Sequence, residues 1–485
     1  MKFDIMRGES LEMIKESMPK PKERTLSQDV LGELIRAVGK EHVHTNIETL
    51  VCYSYDATAT RQRALPNVVV KASSTEEVSA VVKVADKNTI PIYPCGARSG
   101  LSGGSIPVYG GIALDTTRMD RILEINEKDL IATVEPGVIT RRFQDEVAKH
   151  KLFYPPDPGS AEFSTLGGNV AECSGGMAGI KYGVTRDYVL SLEIVLPDGR
   201  VINTGKKTWR TVAGYDLTRL FVGSEGTLGI FTGITVKLIP LPEKLETVLA
   251  YFHSTGDAMD AADGIILEQG VIPKTLEFVD TICINSIRGY GGVEIPEKAR
   301  ALLLVDVDGD SQVVRKQRLR VEEACKKNNA FHTVVTEDME QREALWAVRR
   351  VISPALFKVS GRKLNEDVCV PRSKVKEVSE AAYALAKEFS IDTACFGHIG
   401  DGNVHINFLY GEGDEQQAKV DEMLDRIMEK VISLGGTITG EHGIGTAKAK
   451  HLPWEIPRVE LELMKSLKKL IDPKNIMNPG KIFES

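Results

Sequence analysis

Apolar and polar residues alternate in patterns that change character along the chain. Near the start, SLEMIKESM (10–18) and QDVLGELIRAVG (28–39) show the apolar spacing of amphipathic helices. From residue 66 the pattern becomes strand, helix, strand. PNVVVKA (66–72) and IPIYPCG (90–96) are β-branched or apolar runs, and STEEVSAVVKVADKN (74–88) begins with a helix-capping serine. This order predicts an α/β unit.

The next stretch is rich in glycine and predicts short strands and hairpins. DLIATVEPGV and LSLEIVLPDGRVINTG are strand-like, and Asp198-Gly199 is a hairpin-turn signal between two apolar runs. The proline-rich IPLPEKLE (239–246) then predicts a linker.

After this linker, strands alternate with long helices. Strands are predicted at TVLAYFH (247–253), KTLEFVD (274–280) and RALLLVDVDG (300–309). Helices are predicted at DAMDAADGIILEQ (257–269), VVRKQRLRVEEACKKN (313–328), KVKEVSEAAYALAKEF (374–389) and VELELMKSLKKLI (459–471). Two or more domains are expected for 485 residues, and the later one is of α+β type.

Composition narrows the class of protein. The net charge is −7 and basic residues are dispersed, so we expect no nucleic-acid partner. No apolar run reaches the ~20 residues of a membrane helix, and the charged N-terminus lacks the apolar centre of a signal peptide. Seven scattered cysteines without a CxxC pair are typical of reduced thiols, so a cytoplasmic location is expected and an iron–sulfur cluster is not.

Four glycine-rich segments lie within residues 96–230: GARSGLSGGSIPVYGG, PPDPGS, TLGGNVAECSGGMAG and GSEGTLGI. Glycine lets a backbone approach a pyrophosphate and direct several amide groups at it. One such loop is equally well a tight turn, but four together favour a wrapped pyrophosphate. The spacing fits neither a Walker loop nor a Rossmann fingerprint.

Histidines and a carboxylate form a second chemical pattern. In TACFGHIGDGNVHINF (393–408), a two-residue turn at Asp401-Gly402 would place His398 directly opposite His405. That pair suits a metal ion, and equally two hydrogen-bonded histidines in a sheet. GTITGEHGIG (436–445) adds Glu441 and His442, which point opposite ways in an extended chain.

These motifs occur in the order seen in a known flavoprotein family. The glycine-rich segments resemble the vanillyl-alcohol oxidase / p-cresol methylhydroxylase type of FAD domain. CFGHIGDGNVHIN, GTITGEHGIG and MNPGKIF resemble the D-lactate dehydrogenase and glycolate oxidase D-subunit branch. The resemblance covers residues 50–485 and implies an α+β fold, with a two-subdomain FAD-binding domain and an α+β substrate (cap) domain built on an antiparallel sheet.

The resemblance also implies domain boundaries. We expect a helical N-terminal extension (1–50), the FAD-binding domain (51–243), the substrate domain (244–435) and a C-terminal segment that returns to the flavin (436–485).

Residues of the family's cofactor site are carried over by motif. Residues 94–105 resemble the pyrophosphate loop, and the later segments resemble flavin, phosphate and adenine contacts. The implied cofactor-binding residues are Pro94, Gly96, Ala97, Arg98, Ser99, Gly100, Leu101, Ser102, Gly103, Ser105, Pro156, Gly159, Ser160, Gly167, Gly168, Asn169, Ser174, Gly175, Gly223, Glu225, Gly226, Ile230, Asn478 and Lys481. The first loop carries no histidine for covalent attachment, so non-covalent FAD is expected.

The resemblance assigns roles to the reaction centre as well. It implies His398, His405 and Glu441 as ligands of a divalent metal, and His442 as catalytic base. Zinc, iron and manganese all accept two histidines and a carboxylate. Arg349, in the helical segment EALWAVRRVISPAL, is implied as the substrate-carboxylate arginine, with its neighbour Arg350 as competitor. The roles of Glu366 and Asp367 stay open between structural and site-supporting.

The expected activity is FAD-dependent oxidation of a small D-2-hydroxy acid, D-lactate first, with glycolate and D-2-hydroxyglutarate as alternatives. An electron-transfer flavoprotein is the expected acceptor. One rival is an aryl-alcohol or sugar oxidase on the same fold, which needs no metal. A non-catalytic flavin subunit is the other, and it needs neither Arg349 nor His442. The oligomeric state is not predicted.

Overall fold

The computed structural model describes residues 26–59, 62–291 and 293–483. A small mixed sheet and its helices form the first part of this chain. Its elements are α1 (Gln28–Val38), β1 (Val43–His44), α2 (Ile47–Cys52), β2 (Val68–Lys71), α3 (Thr75–Asn88), β3 (Ile92–Cys95) and β4 (Ile112–Asp115). The strand order is β1-β2-β4-β3, with β1 antiparallel at the edge and the others parallel. The predicted strand–helix–strand unit and the helix at 28–38 are therefore confirmed. The predicted helix at 10–18 lies outside the described residues.

A second, antiparallel sheet follows with order β5-β6-β10-β8-β9. The elements of this region are β5 (Ile122–Asn126), β6 (Ile131–Val134), α4 (Thr140–Lys149), β7 (Leu152–Phe153), α5 (Leu166–Glu172), α6 (Gly179–Tyr182), β8 (Val189–Val195), β9 (Val201–Gly205), α7 (Leu217–Phe221) and β10 (Ile230–Lys237). Val195 pairs with Val201, so the hairpin predicted around Asp198 is confirmed. The two sheets form the two predicted subdomains.

The proline-rich stretch at 239–246 is less of a linker than predicted. Its first residues form β11 (Ile239–Pro240), which pairs with β7, and β12 (Lys244–Phe252) has already begun at residue 244. Pairing with strands on both sides leaves only residues 241–243 outside regular structure.

The third sheet is antiparallel throughout, as expected, with order β15-β12-β14-β13-β17-β18-β16. Its strands and helices are β12, α8 (Thr255–Asp263), β13 (Thr275–Val279), α9 (Thr281–Ile287), β14 (Ala301–Gly309), α10 (Ser311–Lys327), β15 (His332–Thr336), α11 (Met339–Arg350), α12 (Ile352–Ala355), β16 (Arg362–Cys369), α13 (Val375–Phe389), β17 (Asp392–His398), β18 (Asn403–Tyr410) and α14 (Asp414–Ser433). Alternate strand residues pack on opposite faces. Val248 contacts the cluster under α8, α10, α13 and α14, whereas Leu249 contacts the cluster under α9, α11 and α12.

The end of the chain runs back to the first sheet through α15 (Leu452–Glu455) and α16 (Arg458–Ile471). The amide of Asn478 donates to the carbonyl of Ile92 on β3. The third sheet is held against the second subdomain by Asp308, which accepts hydrogen bonds from Lys181 and from the Tyr182 hydroxyl (2.9 Å). Among the residues described, no helix is long and apolar enough to cross a membrane.

Candidate active site

A cavity of about 390 Å³ lies where the glycine-rich loops of the first two sheets meet the third sheet. That volume is within the usual range for a cofactor or ligand site. The predicted residues that line it are Pro94, Gly96, Ala97, Arg98, Ser99, Gly100, Leu101, Ser105, Gly159, Ser160, Gly168, Asn169, Ser174, Glu225, Gly226, Arg349, His398, His405, Glu441, His442 and Asn478. One cavity therefore joins the predicted cofactor loops to the predicted reaction centre.

The other predicted cofactor residues are not among those that line the cavity. They are Ser102, Gly103, Pro156, Gly167, Gly175, Gly223, Ile230 and Lys481. Ile230, for example, is buried in the core of the first sheet, and the carbonyl of Pro156 accepts a hydrogen bond from Gln144. For these residues, as for those that line the cavity, contact with the cofactor stays a prediction.

The first glycine-rich loop has the features of a phosphate cradle. Within the described chain, the amides at residues 97–101 find no protein acceptor. A methyl group added at Gly100 or Gly159 would meet no atom within 4 Å, so bare backbone forms the wall there. The buried hydroxyl of Ser105 also has no partner among the described residues. Free amides and a free hydroxyl suit the pyrophosphate of FAD.

Several polar contacts of this region hold the loops together. The Glu225 carboxylate accepts the amides of Ile444 and Gly445, both at 2.7 Å. Asn478 donates to the carbonyls of Gly104 and Glu225, and Lys481 donates to the carbonyl of Ile106. Glu225, which lines the cavity, and Lys481, which does not, thus both hold the surrounding loops in place, which the motif comparison alone did not reveal.

The hairpin that carries His398 and His405 differs from the prediction. His405 pairs with Phe396, and the turn spans residues 399–402, so the two histidines are not directly opposed. The shift of two residues nevertheless keeps both side chains on one face, because strand residues alternate with a period of two. Their ring centroids lie 5.3 Å apart. The predicted register was wrong, but the predicted meeting of the rings was right.

Glu441 reaches both histidines from the C-terminal segment. Its Oε1 lies 3.6 Å from Nε2 of His398 and 3.6 Å from Nε2 of His405. Nitrogen and oxygen ligands of one divalent ion are commonly separated by about this distance, so these atoms could share an ion. His442 is next to this group, with Nε2 at 3.8 Å from the same Glu441 oxygen. The donor set fits a divalent metal held by His398, His405 and Glu441.

Asp367 is also near, but its oxygens are committed to the protein. Oδ2 accepts hydrogen bonds from the Thr439 hydroxyl and from the amides of Gly440, Glu441 and His442, at 2.8–3.0 Å. Oδ1 accepts the side-chain amide of Asn403. Proximity alone groups Asp367 with His405, Glu441 and His442. Because four donors already surround Oδ2, Asp367 anchors the 439–442 loop, which carries Glu441 and His442.

Glu277, which no motif indicated, joins the metal-ligand group to the arginine. It is fully buried on β13, and its carboxylate binds Nδ1 of His398 and both Nε (2.8 Å) and Nη2 (2.5 Å) of Arg349. A carboxylate on the outer nitrogen of a metal-ligating histidine fixes its ring and leaves Nε2 for the ion. A single acidic residue inside the apolar strand TLEFV was the available sequence signal.

Charge coupling within this group is strong. Burial raises the pKa of Glu277, but His398 and Arg349 outweigh it and bring that pKa to about 2. Burial lowers the pKa of His398, yet the Glu277 carboxylate holds it well above its ordinary value. Burial, with the neighbouring charge of His398, lowers the pKa of His405 to about 3. A buried neutral imidazole is the form that binds metal.

Strand β16 presents polar residues to the site at alternate positions. Asp367 anchors the loop, Asn365 lines the cavity, and Lys363 donates to Ser353, which also lines it. Arg350 lines the cavity too, with its guanidinium paired to the half-exposed Glu343 at 2.7 Å. Both adjacent arginines therefore reach the cavity, although only Arg349 is buried.

Two protein-family models that describe FAD-linked proteins match separate parts of the chain. The model of the FAD binding domain family matches residues 66–205, and that of the C-terminal domain of FAD linked oxidases matches residues 241–482. A Bacillus subtilis (strain 168) protein described as glycolate oxidase subunit GlcD is 42% identical, over 94% of this chain and 97% of its own. A D-lactate dehydrogenase of Archaeoglobus fulgidus is 38% identical, over 89% and 95%.

The fold is shared with a more distant enzyme. A crystal structure of p-cresol methylhydroxylase with substrate bound superposes with a TM-score of 0.77 at 19% identity, over 96% of this chain and 99% of that one. The fold, the two matching domains and the near full-length relatives lead to one conclusion. The chain belongs to the family of FAD-linked oxidases.

Proposed function

We propose that this FAD-linked enzyme oxidises a small D-2-hydroxy acid, D-lactate first, to the corresponding 2-oxo acid. The observation that carries the proposal is the buried Glu277, which ties Arg349 to the His398–His405–Glu441 group on one cavity wall. An arginine that can bind a carboxylate and a metal-ligand group, both in contact with Glu277, suit a substrate with adjacent carboxylate and hydroxyl groups. The names of the relatives support the same class of substrate.

Arg349 would bind the substrate carboxylate. Glu277 occupies the Nε side of its guanidinium, and Phe396 lies under it at 4.7 Å from ring centroid to Cζ. Held on two sides, the guanidinium offers its remaining N–H groups in a fixed direction. Arginine is the natural bidentate partner of a carboxylate because its fork matches the spacing of the two oxygens.

His398, His405 and Glu441 would hold a divalent cation (zinc, iron or manganese). The cation would supply a Lewis acid that favours the ionised form of the substrate hydroxyl. The chemistry of the donor set does not distinguish the three metals.

His442 would take the hydroxyl proton. Its backbone amide is tied to Asp367 (2.9 Å), so the imidazole is presented from an anchored loop beside Glu441. An imidazole accepts protons in the neutral range, as a general base requires. FAD, bound non-covalently in the cradle, supplies the hydride acceptor.

Electrons would then pass to a separate protein, for which we propose an electron-transfer flavoprotein. The seven cysteines are all unpaired and most are buried, which supports a reducing, cytoplasmic setting. Glycolate and D-2-hydroxyglutarate are the alternative substrates within the proposal.

The test is anaerobic mixing of purified, metal-replete protein with D-lactate, with flavin absorbance followed near ~450 nm. L-lactate, glycolate, D-2-hydroxyglutarate, an aryl alcohol and a sugar are run in parallel. Bleaching by D-lactate and not by L-lactate is the expected result. Bleaching only by an aryl alcohol or a sugar would overturn the proposal in favour of the metal-free rival, and bleaching by no alcohol would favour a non-catalytic flavin subunit.

A further inference from the structure

Lys363 is a buried cation that the mechanism above does not use. It lies on β16 with 7% of its surface exposed. Its Nζ donates to the carbonyl (2.8 Å) and to the hydroxyl oxygen (2.5 Å) of Ser353, and no carboxylate of the described chain forms an ion pair with it. Buried lysines are ordinarily paired with an acid, so this arrangement calls for another source of negative charge.

Ser353 transmits the effect of Lys363 to the cavity. It follows Arg349 by four residues, at the start of the next helix (α12), and both residues line the cavity. Since the Ser353 oxygen accepts a hydrogen bond from Lys363, its own proton is directed away from the ammonium group. The Ser353 hydroxyl is then a donor available to a bound oxygen next to Arg349.

Charge balance points the same way. The positive charge of Arg349 is compensated by Glu277 at 2.5 Å, and both side chains are buried. A substrate carboxylate placed on Arg349 would therefore not be neutralised by this arginine alone. Lys363 is a buried positive charge without an acidic partner among the described residues, and Ser353 lies between it and the cavity.

We propose that Lys363 is a positioning residue for the substrate carboxylate, acting through the Ser353 hydroxyl and supplying the positive charge that Glu277 withdraws from Arg349. This inference rests on the proposed function, since it takes the substrate to be a carboxylate.

Titration of Lys363 follows from its surroundings. Burial lowers the pKa of Lys363 to about 8. The titratable group that faces it is the thiol of Cys283 on α9, whose own pKa burial raises well above its ordinary value, so this thiol stays neutral. The remaining neighbours are Phe357, whose ring lies 5.0 Å from Nζ, and Leu409, its strand partner on β18. Lys363 is therefore charged at neutral pH and loses its charge as the pH rises past 8.

The test uses Lys363→Met, Lys363→Arg and Ser353→Ala in the FAD- and metal-replete enzyme. Lys358→Met is the matched control, because Lys358 is an exposed lysine that stacks on Tyr290. The dissociation constant for D-lactate and the limiting rate of flavin reduction are measured by anaerobic stopped flow. The dissociation constant for pyruvate is measured from perturbation of the flavin spectrum, which requires no turnover.

For Lys363→Met, both dissociation constants should rise about 10- to 100-fold, as expected for loss of a hydrogen bond with a charged partner, with the limiting rate nearly unchanged. Lys363→Arg should recover most of the affinity. In the wild type the affinity should fall above pH 8, and in Lys363→Met it should be flat there. Ser353→Ala should weaken the binding of both D-lactate and pyruvate. This variant keeps the test valid if Lys363→Met does not fold.

Unchanged dissociation constants in Lys363→Met or in Ser353→Ala would overturn the inference, as would a lost limiting rate at constant affinity. The pyruvate arm separates the two proposals. A wild type that binds pyruvate but is reduced by no 2-hydroxy acid contradicts the proposed function, whereas one reduced by D-lactate with no effect of Lys363 contradicts only this inference.

Discussion

Replacement of Glu277 by glutamine should damage both metal binding and stability, because this one carboxylate serves Arg349 and His398 together. The variant keeps the shape of the side chain and removes its charge. Arg349 would then be a buried cation without a counter-ion, and His398 would lose the acceptor that fixes its ring.

The size of the effect can be worked from the contacts. A shift of the Glu277 pKa from 4.5 to about 2 corresponds to about 3 kcal/mol of stability. Breaking a buried ion pair by removing one partner costs about 3–5 kcal/mol, in agreement. Loss of the carboxylate behind a metal-ligating histidine lowers metal affinity about 10- to 100-fold.

The pH dependence has a definite sign. Because the folded-state pKa is depressed, the contribution of Glu277 is complete above the unfolded value of about 4.5 and is lost as the pH falls towards 2. The difference in free energy of unfolding between wild type and Glu277→Gln should therefore be largest near neutral pH and shrink below pH 4.5.

The assay is urea unfolding of the metal-free protein at several pH values, together with metal titration of the folded enzyme. Glu343→Gln is the matched control, because Glu343 pairs with Arg350, the residue that follows Arg349. Glu343 is 54% exposed, and an exposed ion pair contributes about 1 kcal/mol or less. Equal stability and equal metal affinity of Glu277→Gln and Glu343→Gln would refute the reasoning.

Three further predictions concern the base, the metal and the cradle. His442→Asn should retain FAD and metal but reduce flavin about 10²- to 10⁴-fold more slowly in single-turnover assays, and full activity would exclude His442 as base. Removal of the metal by a chelator should abolish oxidation of D-lactate while the flavin absorbance stays with the protein on gel filtration. Release of FAD by the chelator would instead indicate a structural metal. Gly445→Ala should weaken retention of FAD, because Gly445 has φ +51° and an added methyl would lie 2.1 Å from the carbonyl oxygen of Ser102. Unchanged retention on dialysis would show that the 443–445 loop does not support the cradle.

Local patterns in the chain were sufficient for much of the secondary structure and for bringing the two histidines together, whereas the metal and the FAD were implied by the family resemblance. Apolar periodicity depends only on near neighbours in sequence. It was enough to predict the helix at 75–88, the strand at 275–279 and the long helices of the substrate domain. His398 and His405 were placed on one face of a hairpin because the strand period of two survives a two-residue error in register. The glycine-rich segments by themselves predicted a wrapped pyrophosphate, and the family resemblance implied that it belongs to FAD. The matching FAD-binding family confirms the cofactor.

Tertiary structure alone decided which polar groups support the site. Glu277 meets Arg349 from 72 residues away and His398 from 121 residues away, and nothing local distinguishes it from any other acid in a strand. Asp367 stands beside the metal-ligand group, yet four donors from residues 439–442 make it an anchor. Hydrogen-bond partners depend on sheet order and register between distant strands, and a single sequence carries no direct record of these.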